Sequence, residues 1–239
     1  MNNIKNIFFD LDHTLWDFDK NSDLTFYKIF KKNSIGLDVS SFLIKYHTIN
    51  RKYWELFRED KVTKAELRYL RLSDTFKKFN YSINDKLIYK LAEDYIMHLS
   101  DFNHLIDDAI HVLTQLDEKY SMHIITNGFK EVQEKKLIKS KLGKFFKSVT
   151  ISEDVGVKKP DKIIFNHALK KSNSLVENSV MIGDNYNADI VGALNIGMKA
   201  IYFNFHKIDK PKNSNVITVN NLKDILLSLI HISEPTRQW

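Results

Sequence analysis

Near its N-terminus the chain contains the stretch IFFDLDHT at residues 7–14. Its first three residues are apolar, and a short apolar run that ends at polar residues is typical of a buried β-strand. Asp10 and Asp12 would then lie where this strand gives way to a loop. In open α/β sheets, ligands bind at that edge. We therefore expect two carboxylates, one residue apart, at the ligand-binding edge of a sheet.

The pattern changes after this first strand. From about residue 16 to residue 100 it indicates helices and contains no convincing strand. Thr63 followed by Glu66 has the form of a capping box, which marks the start of a helix. Leu87, Leu91 and Tyr95 recur at every fourth position, as on one face of a helix. We predict a bundle of about four helices in this region.

Strands and helices alternate from about residue 105 onward. Pro160 is suited to the first position of a helix, and we expect a helix to begin there. Alternating strands and helices indicate a parallel sheet with helices on both faces. The predicted fold class is therefore α/β, a doubly wound parallel sheet with an inserted all-helical domain. The further strands are predicted at residues 122–126, 149–151, 180–182 and 200–203.

The predicted sheet domain is discontinuous in sequence. It comprises residues 1–15 and 101–232, and the helical insertion comprises residues 16–100. Because the insertion starts directly after the two carboxylates, we expect it to form a cap over the site. Residues 233–239 fit no predicted element, and we expect them to form a disordered or non-native tail.

Composition excludes several classes of protein. The 239 residues are 43% apolar, carry a net charge of +6 and include no cysteine, which excludes disulfides and thiolate sites. Basic residues are scattered except in residues 135–147, which we interpret as a solvated helix face and not as a nucleic-acid surface. No apolar stretch approaches the ~18 residues of a membrane span. Without an apolar signal-peptide core at the N-terminus, we expect a cytoplasmic protein with no membrane partner.

Other predicted strands also end in polar residues. Asp10, Asp12 and Asp184 would repel one another unless a cation lay among them, and oxygen-only ligands suit Mg²⁺. The Thr126 hydroxyl, the backbone N–H groups around Asn127 and the Lys159 ammonium are groups that bind anions. A cation, anion donors and a spare carboxylate are together typical of a phosphoryl-transfer site.

Four short motifs occur in order, three at predicted strand ends and one before a predicted helix: DLDHT at 10–14, TN at 126–127, KP before the helix at 159–160, and GDNYNAD at 183–189. The ordered set resembles the haloacid dehalogenase superfamily over nearly the whole chain, and the helical insertion resembles the type-I cap of that family. Two longer strings, FFDLDHTLWDFD at 8–19 and EDVGVKKPD at 153–161, resemble its pyrimidine 5′-nucleotidase branch.

The resemblance implies a role for each motif residue. Asp10 would be the nucleophile that forms an aspartyl-phosphate. Asp12 would protonate the leaving oxygen and then activate water, and its backbone carbonyl would bind Mg²⁺. Lys159 would neutralise charge on Asp10 and the phosphate; the family pattern places this lysine directly before proline, which excludes Lys158.

The remaining motif residues would bind the phosphate and the metal. Thr126 and Asn127 would hold the phosphoryl oxygens. Asp184 would bind Mg²⁺ through its carboxylate, beside Asp10. Asp189 would hold either a metal-bound water or Lys159.

The implied function is a Mg²⁺-dependent phosphomonoesterase for nucleoside 5′-monophosphates, with pyrimidine and non-standard pyrimidine nucleotides as substrates. Such a protein binds a small molecule and no nucleic acid, and we expect a monomer or weak dimer. A phosphatase or mutase acting on sugar phosphates or phosphoglycolate remains open. A 2-haloacid dehalogenase is disfavoured, because displacement of halide needs no leaving-group acid such as Asp12. A non-catalytic RNA-binding module would predict losses in the motif set, and none is seen.

Overall fold

The computed structural model describes residues 4–207 and 216–233. The chain forms two compact units, one containing the described residues up to Asp17 and from Asn103 onward, the other Phe18–Phe102. Residues 234–239 of the predicted tail lie outside the described part, whereas Ser233 ends the last helix. Among the described residues, no helix combines the length and apolar character that a bilayer crossing requires.

The larger unit is built on one parallel sheet of six strands in the order β3-β2-β1-β4-β5-β6. Helices follow the strands in sequence, so the predicted α/β fold class is confirmed. The strands are β1 (Asn6–Phe9), β2 (Ser121–Thr126), β3 (Phe146–Ile151), β4 (Ser179–Gly183), β5 (Lys199–Phe203) and β6 (Ile217–Val219).

The central strand is β1, which pairs with β2 on one side and β4 on the other. Its residues Ile7, Phe8 and Phe9 are fully buried. A continuous apolar run without alternation is the signature of a strand covered on both faces, as parallel strands are. The residues that follow β1, β2 and β4 therefore come out side by side at one edge of the sheet.

Four α-helices form the smaller unit, and the remaining α-helices belong to the larger one. The smaller unit contains α1 to α4, which agrees with the predicted four-helix bundle, and aromatic rings such as Phe26, Phe42 and Phe76 fill its core. The helices are α1 (Phe18–Lys32), α2 (Val39–Arg58), α3 (Lys64–Lys77), α4 (Asp85–His98), α5 (Ala109–Asp117), α6 (Lys130–Lys139), α7 (Ser152–Val155), α8 (Lys162–Ser172), α9 (Gly192–Leu194) and α10 (Asp224–Ser233).

The starts of α3 and α8 are both fixed by a capping side chain. Thr63 and Glu66 form the predicted reciprocal capping box at the start of α3. The prediction that Pro160 opens a helix is wrong: α8 begins at Lys162, and the Asp161 side chain caps it by accepting a hydrogen bond from the Ile163 N–H. The carboxylate at Asp161 is a stronger start signal than the proline before it, because it satisfies an otherwise unpaired N–H group.

Strand β6 and the π-helical winding of residues 186–191 are among the features that the sequence pattern does not predict. Strand β6 has three residues, too few for a periodic pattern to be recognised, and it is defined by parallel pairing with β5. Residues 186–191 form a π-helical turn that runs into α9. That turn carries Asp189, so its wider winding bears directly on the site.

Strand β2 contains a buried histidine. The His123 ring stacks on Phe8, with ring centroids 4.8 Å apart, and its Nδ1 lies 2.9 Å from the Ser148 hydroxyl oxygen. Burial lowers the pKa of His123 from 6.5 to about 4. The folded protein therefore holds this imidazole neutral at a pH where the unfolded chain would protonate it.

His123 should make the protein sensitive to mild acid. Since the pKa of the folded state is the lower one, the unfolded state binds more protons between pH 6.5 and 4, and stability falls as the pH falls through that range. Between pH 7.5 and pH 5, we expect the unfolding free energy of the wild type to fall by about 2 kcal/mol more than that of His123→Phe. Urea unfolding at both pH values measures this.

Exposed His167 provides the control. The His167→Phe variant should keep the acid sensitivity of the wild type, and the carboxylates titrate in all three proteins and cancel in the comparison. Equal acid sensitivity of wild type and His123→Phe would contradict a neutral, buried His123.

Candidate active site

Three neighbouring strands deliver polar residues to one edge of the sheet. Asp10 directly follows β1, Thr126 ends β2 and Asp184 directly follows β4. The Asp10 N–H donates to the Ile182 carbonyl oxygen at 2.9 Å, which extends the β1–β4 pairing by one residue. Parallel pairing in register thus explains why residues far apart in sequence meet here.

Lys159 lies at the centre of this edge and is 2% exposed. Its Nζ lies 2.6 Å from an Asp10 carboxylate oxygen and 2.6 Å from an Asp189 carboxylate oxygen. It also donates to the Ile125 carbonyl oxygen at 2.7 Å. Burial by itself would lower the pKa of Lys159, but Asp10 and Asp189 together raise it above its ordinary value. The lysine is therefore held as a cation against two carboxylates.

The Asn127 side chain fixes the backbone that carries Lys159. Its amide nitrogen donates to the Lys159 carbonyl oxygen at 3.0 Å, and its amide oxygen accepts from the Lys159 N–H at 2.9 Å. Both ends of the side chain are thus used within the protein. Contact between this position and a phosphoryl group would then come from the backbone N–H of the loop.

Asp184 and Asp189 are placed by local contacts after β4. The Asp184 N–H donates to the Thr14 hydroxyl at 3.1 Å, which ties the loop after β4 to the loop after β1. A carboxylate oxygen of Asp189 accepts from the Asn185 N–H at 3.0 Å. A Cβ at Gly183 would overlap the Asp189 carboxylate, so glycine is needed there for Asp189 to reach Lys159.

The charges of this group do not balance. Asp10, Asp184 and Asp189 each offer one carboxylate oxygen, and the three oxygens all lie within 4.8 Å of one another. Lys159 supplies a single positive charge. Burial raises the pKa of Asp10 to about 7, and burial together with Asp10 and Asp189 raises the pKa of Asp184 well above its ordinary value. Clustered oxygen ligands with an excess of negative charge fit a divalent cation such as Mg²⁺.

Asp12 has different surroundings from Asp10. One of its carboxylate oxygens lies 2.5 Å from the Lys136 Nζ, and the other accepts from the Gln133 amide at 2.8 Å. The same Gln133 amide nitrogen lies 2.7 Å from the Thr126 hydroxyl oxygen. Asp12 and Thr126 are thus connected through one glutamine on α6.

The structure corrects one interpretation of the sequence. The sequence predicts a solvated helix face at residues 135–147, yet Lys136 is 2% exposed and its Nζ lies over the Trp16 ring, 4.1 Å from the centroid. Gln133, fully buried, was also missed. Their spacing of three places both on one side of a helix that starts just after Thr126, but this spacing alone does not single out Lys136 among the lysines of that segment.

The sequence model of the haloacid dehalogenase-like hydrolase family matches residues 4–197 of this chain. The chain belongs to this family. It is 29% identical to the pyrimidine 5′-nucleotidase YjjG of Escherichia coli strain K12, over 92% of this chain and 95% of YjjG. It is 33% identical to a glyceraldehyde 3-phosphate phosphatase of Pyrococcus furiosus, over 87% of this chain and 83% of that protein.

A solved structure agrees with the assignment. The HAD-hydrolase YfnB of Bacillus subtilis, in a crystal form bound to magnesium, superposes with a TM-score of 0.85 at 29% identity. The match covers 95% of this chain and 99% of YfnB. The two chains therefore share one fold over nearly their whole length.

Removing the Lys159 cation should destabilise the fold. Lys159→Met would leave Asp10 and Asp189 buried without their partner, and breaking a buried ion pair by removing one member typically costs about 3 kcal/mol or more. We expect a loss of that size in the free energy of unfolding, measured with urea in the presence of EDTA.

The neighbouring lysine is the matched control. Lys158 is only partly buried, and Lys158→Met should change the free energy of unfolding by less than about 1 kcal/mol. Similar losses of unfolding free energy in the two variants would show that the ion pairs of Lys159 do not stabilise the fold.

Proposed function

We propose that the chain is a Mg²⁺-dependent phosphomonoesterase that hydrolyses nucleoside 5′-monophosphates through a phosphorylated Asp10. The observation that supports this best is the buried contact between Asp10 and Lys159 at the edge of the sheet. A carboxylate there has a fixed cation beside it that can also stabilise a phosphoryl oxygen. The adjoining donors from Thr126 and the Asn127 loop suit an anionic substrate.

In the proposed first step, an oxygen of Asp10 attacks phosphorus and the bond from phosphorus to the ester oxygen breaks. Asp12 gives a proton to the leaving ester oxygen. Lys159 neutralises part of the charge shared by the Asp10 carboxylate and the phosphoryl group. The product is a free alcohol and a phosphoryl group on Asp10.

In the second step, water displaces the phosphoryl group from Asp10. Asp12, now ionised, takes a proton from the attacking water. Inorganic phosphate leaves and the Asp10 carboxylate is restored. Lys159 keeps its contacts with Asp189 throughout, so the site retains one fixed cation in every state.

Magnesium fits the same residues. We propose that Asp10 and Asp184 hold Mg²⁺ through their carboxylates and Asp12 through its backbone carbonyl. Bound there, the ion would supply positive charge that offsets the excess of carboxylates and polarises phosphoryl oxygens. We assign to Asp189 the role of holding Lys159, since its carboxylate contacts that ammonium directly.

The choice of substrate rests on similarity. The strings at 8–19 and 153–161 and the relative YjjG support a pyrimidine nucleotide. The Pyrococcus furiosus relative, at 33% identity, supports a second candidate, a phosphatase for small sugar phosphates such as glyceraldehyde 3-phosphate. We propose that Phe18–Phe102 is a cap domain that contributes the specificity, while the larger unit performs the chemistry.

A panel of phosphate esters tests the substrate class. We expect phosphate release from uridine and thymidine 5′-monophosphates to exceed release from glyceraldehyde 3-phosphate by at least tenfold in kcat/KM. Release should fall to background with EDTA and return with added Mg²⁺. A preference for the sugar phosphate would favour the second candidate, and full activity in EDTA would contradict the role of magnesium.

Replacing the nucleophile tests the mechanism. An amide cannot attack phosphorus, so Asp10→Asn should lower kcat by at least about 10⁴-fold on every ester. The Asn side chain keeps the size of Asp, and circular dichroism should show an unchanged fold. Retention of more than about one per cent of the wild-type rate would exclude Asp10 as the nucleophile.

A further inference from the structure

Two side chains of α6 reach the carboxylate of Asp12. Gln133 and Lys136 are three residues apart, so they lie on the same side of the helix. Both are buried, although lysine and glutamine are usually exposed. Each donates to a different oxygen of Asp12, Lys136 at 2.5 Å and Gln133 at 2.8 Å.

The two donors fix the orientation of this carboxylate. A carboxylate with one bonded oxygen can still turn about its terminal bond, whereas separate donors on both oxygens define its plane. Gln133 is itself held, because its amide nitrogen also lies 2.7 Å from the Thr126 hydroxyl oxygen. A Cβ at Gly128 would overlap the Gln133 amide, so the loop after β2 leaves space for this side chain.

Lys136 also has a second contact besides Asp12. Its Nζ lies 4.1 Å from the centroid of the Trp16 ring, and Trp16 is fully buried. The ring face attracts the ammonium and the walls around it restrict its movement. Burial lowers the pKa of Lys136, and the Asp12 charge opposes that change. The Asp12 carboxyl group at contact distance and the ring face together offset part of the cost of burying this ammonium.

We propose that Lys136 and Gln133 are positioning residues that hold Asp12 for proton transfer. The inference rests on the proposed function, in which Asp12 is the general acid and base. When Asp12 gives its proton to the ester oxygen and the bond to phosphorus breaks, Asp12 becomes a carboxylate. The two donors hold the carboxyl group in place while this proton is transferred, and the same group next accepts a proton from water.

The leaving group of the substrate provides a specific test. A nucleoside 5′-monophosphate releases an alkoxide that needs a proton, whereas p-nitrophenyl phosphate releases a stable phenolate that does not. The ratio kcat/KM covers the reaction only up to the first irreversible step, the phosphorylation of Asp10. A loss confined to the nucleotide therefore reports on proton donation by Asp12.

We expect Lys136→Met to lower kcat/KM for the nucleotide by about 30- to 100-fold and for p-nitrophenyl phosphate by less than about threefold. Gln133→Met should show the same selectivity with a loss of about tenfold. Lys136→Arg keeps a cation and should recover most of the nucleotide activity. Lys135→Met, which changes an exposed lysine on the same helix, should match the wild type on both esters.

The outcomes separate the inference from its premise. Equal losses on the two esters, or no loss in a folded Lys136→Met, would overturn the positioning role. If that variant fails to fold, Gln133→Met and Lys136→Arg decide the matter by the same ratio. A wild-type protein that hydrolyses neither ester would contradict the proposed function itself, and this inference with it.

Discussion

The site depends on an imbalance of charge around one buried lysine. Lys159 contacts Asp10 and Asp189, and Asp184 lies in the same group of carboxylates, so three acids share one fixed cation. Such an arrangement would be unfavourable in a protein interior unless further positive charge or protons were added. The raised pKa values of Asp10 and Asp184 are consistent with too little positive charge around these buried carboxylates. A divalent cation would remove it, which is why the geometry suits a metal-assisted reaction on an anionic substrate.

The fold class and the residues at the sheet edge could be predicted from the sequence, because the patterns that indicate them are local and recur along the chain. The buried run before Asp10, the alternation after residue 105 and the order of the strand ends were enough for the fold class and for the residues at the edge. Strand β6 could not be predicted because three residues give no recognisable period. Helix α8 begins at Lys162, and not at Pro160, because the Asp161 carboxylate accepts a hydrogen bond from the Ile163 N–H.

The side chains around Asp12 could not be predicted in the same way. In sequence, Lys136 is one of many lysines between residues 130 and 147, and its neighbours Lys135 and Lys139 are exposed. Only the angle at which α6 packs decides which of them is buried. The buried Lys136 Nζ contacts both the ring face of Trp16 and the carboxyl group of Asp12, and these come from a loop more than a hundred residues earlier.

The two acids of the first loop are therefore given separate partners. Asp10 is buried against Lys159, which belongs to the segment before α8, while Asp12 is held by Lys136 and Gln133 from α6. Two neighbouring carboxylates in one shared environment would be expected to compete for the same cation and the same proton. In the mechanism we propose, distinct partners would allow Asp10 to keep an anionic oxygen toward phosphorus and Asp12 to exchange protons. The two acids are neighbours in sequence, but the segment before α8 and helix α6 give them different contacts.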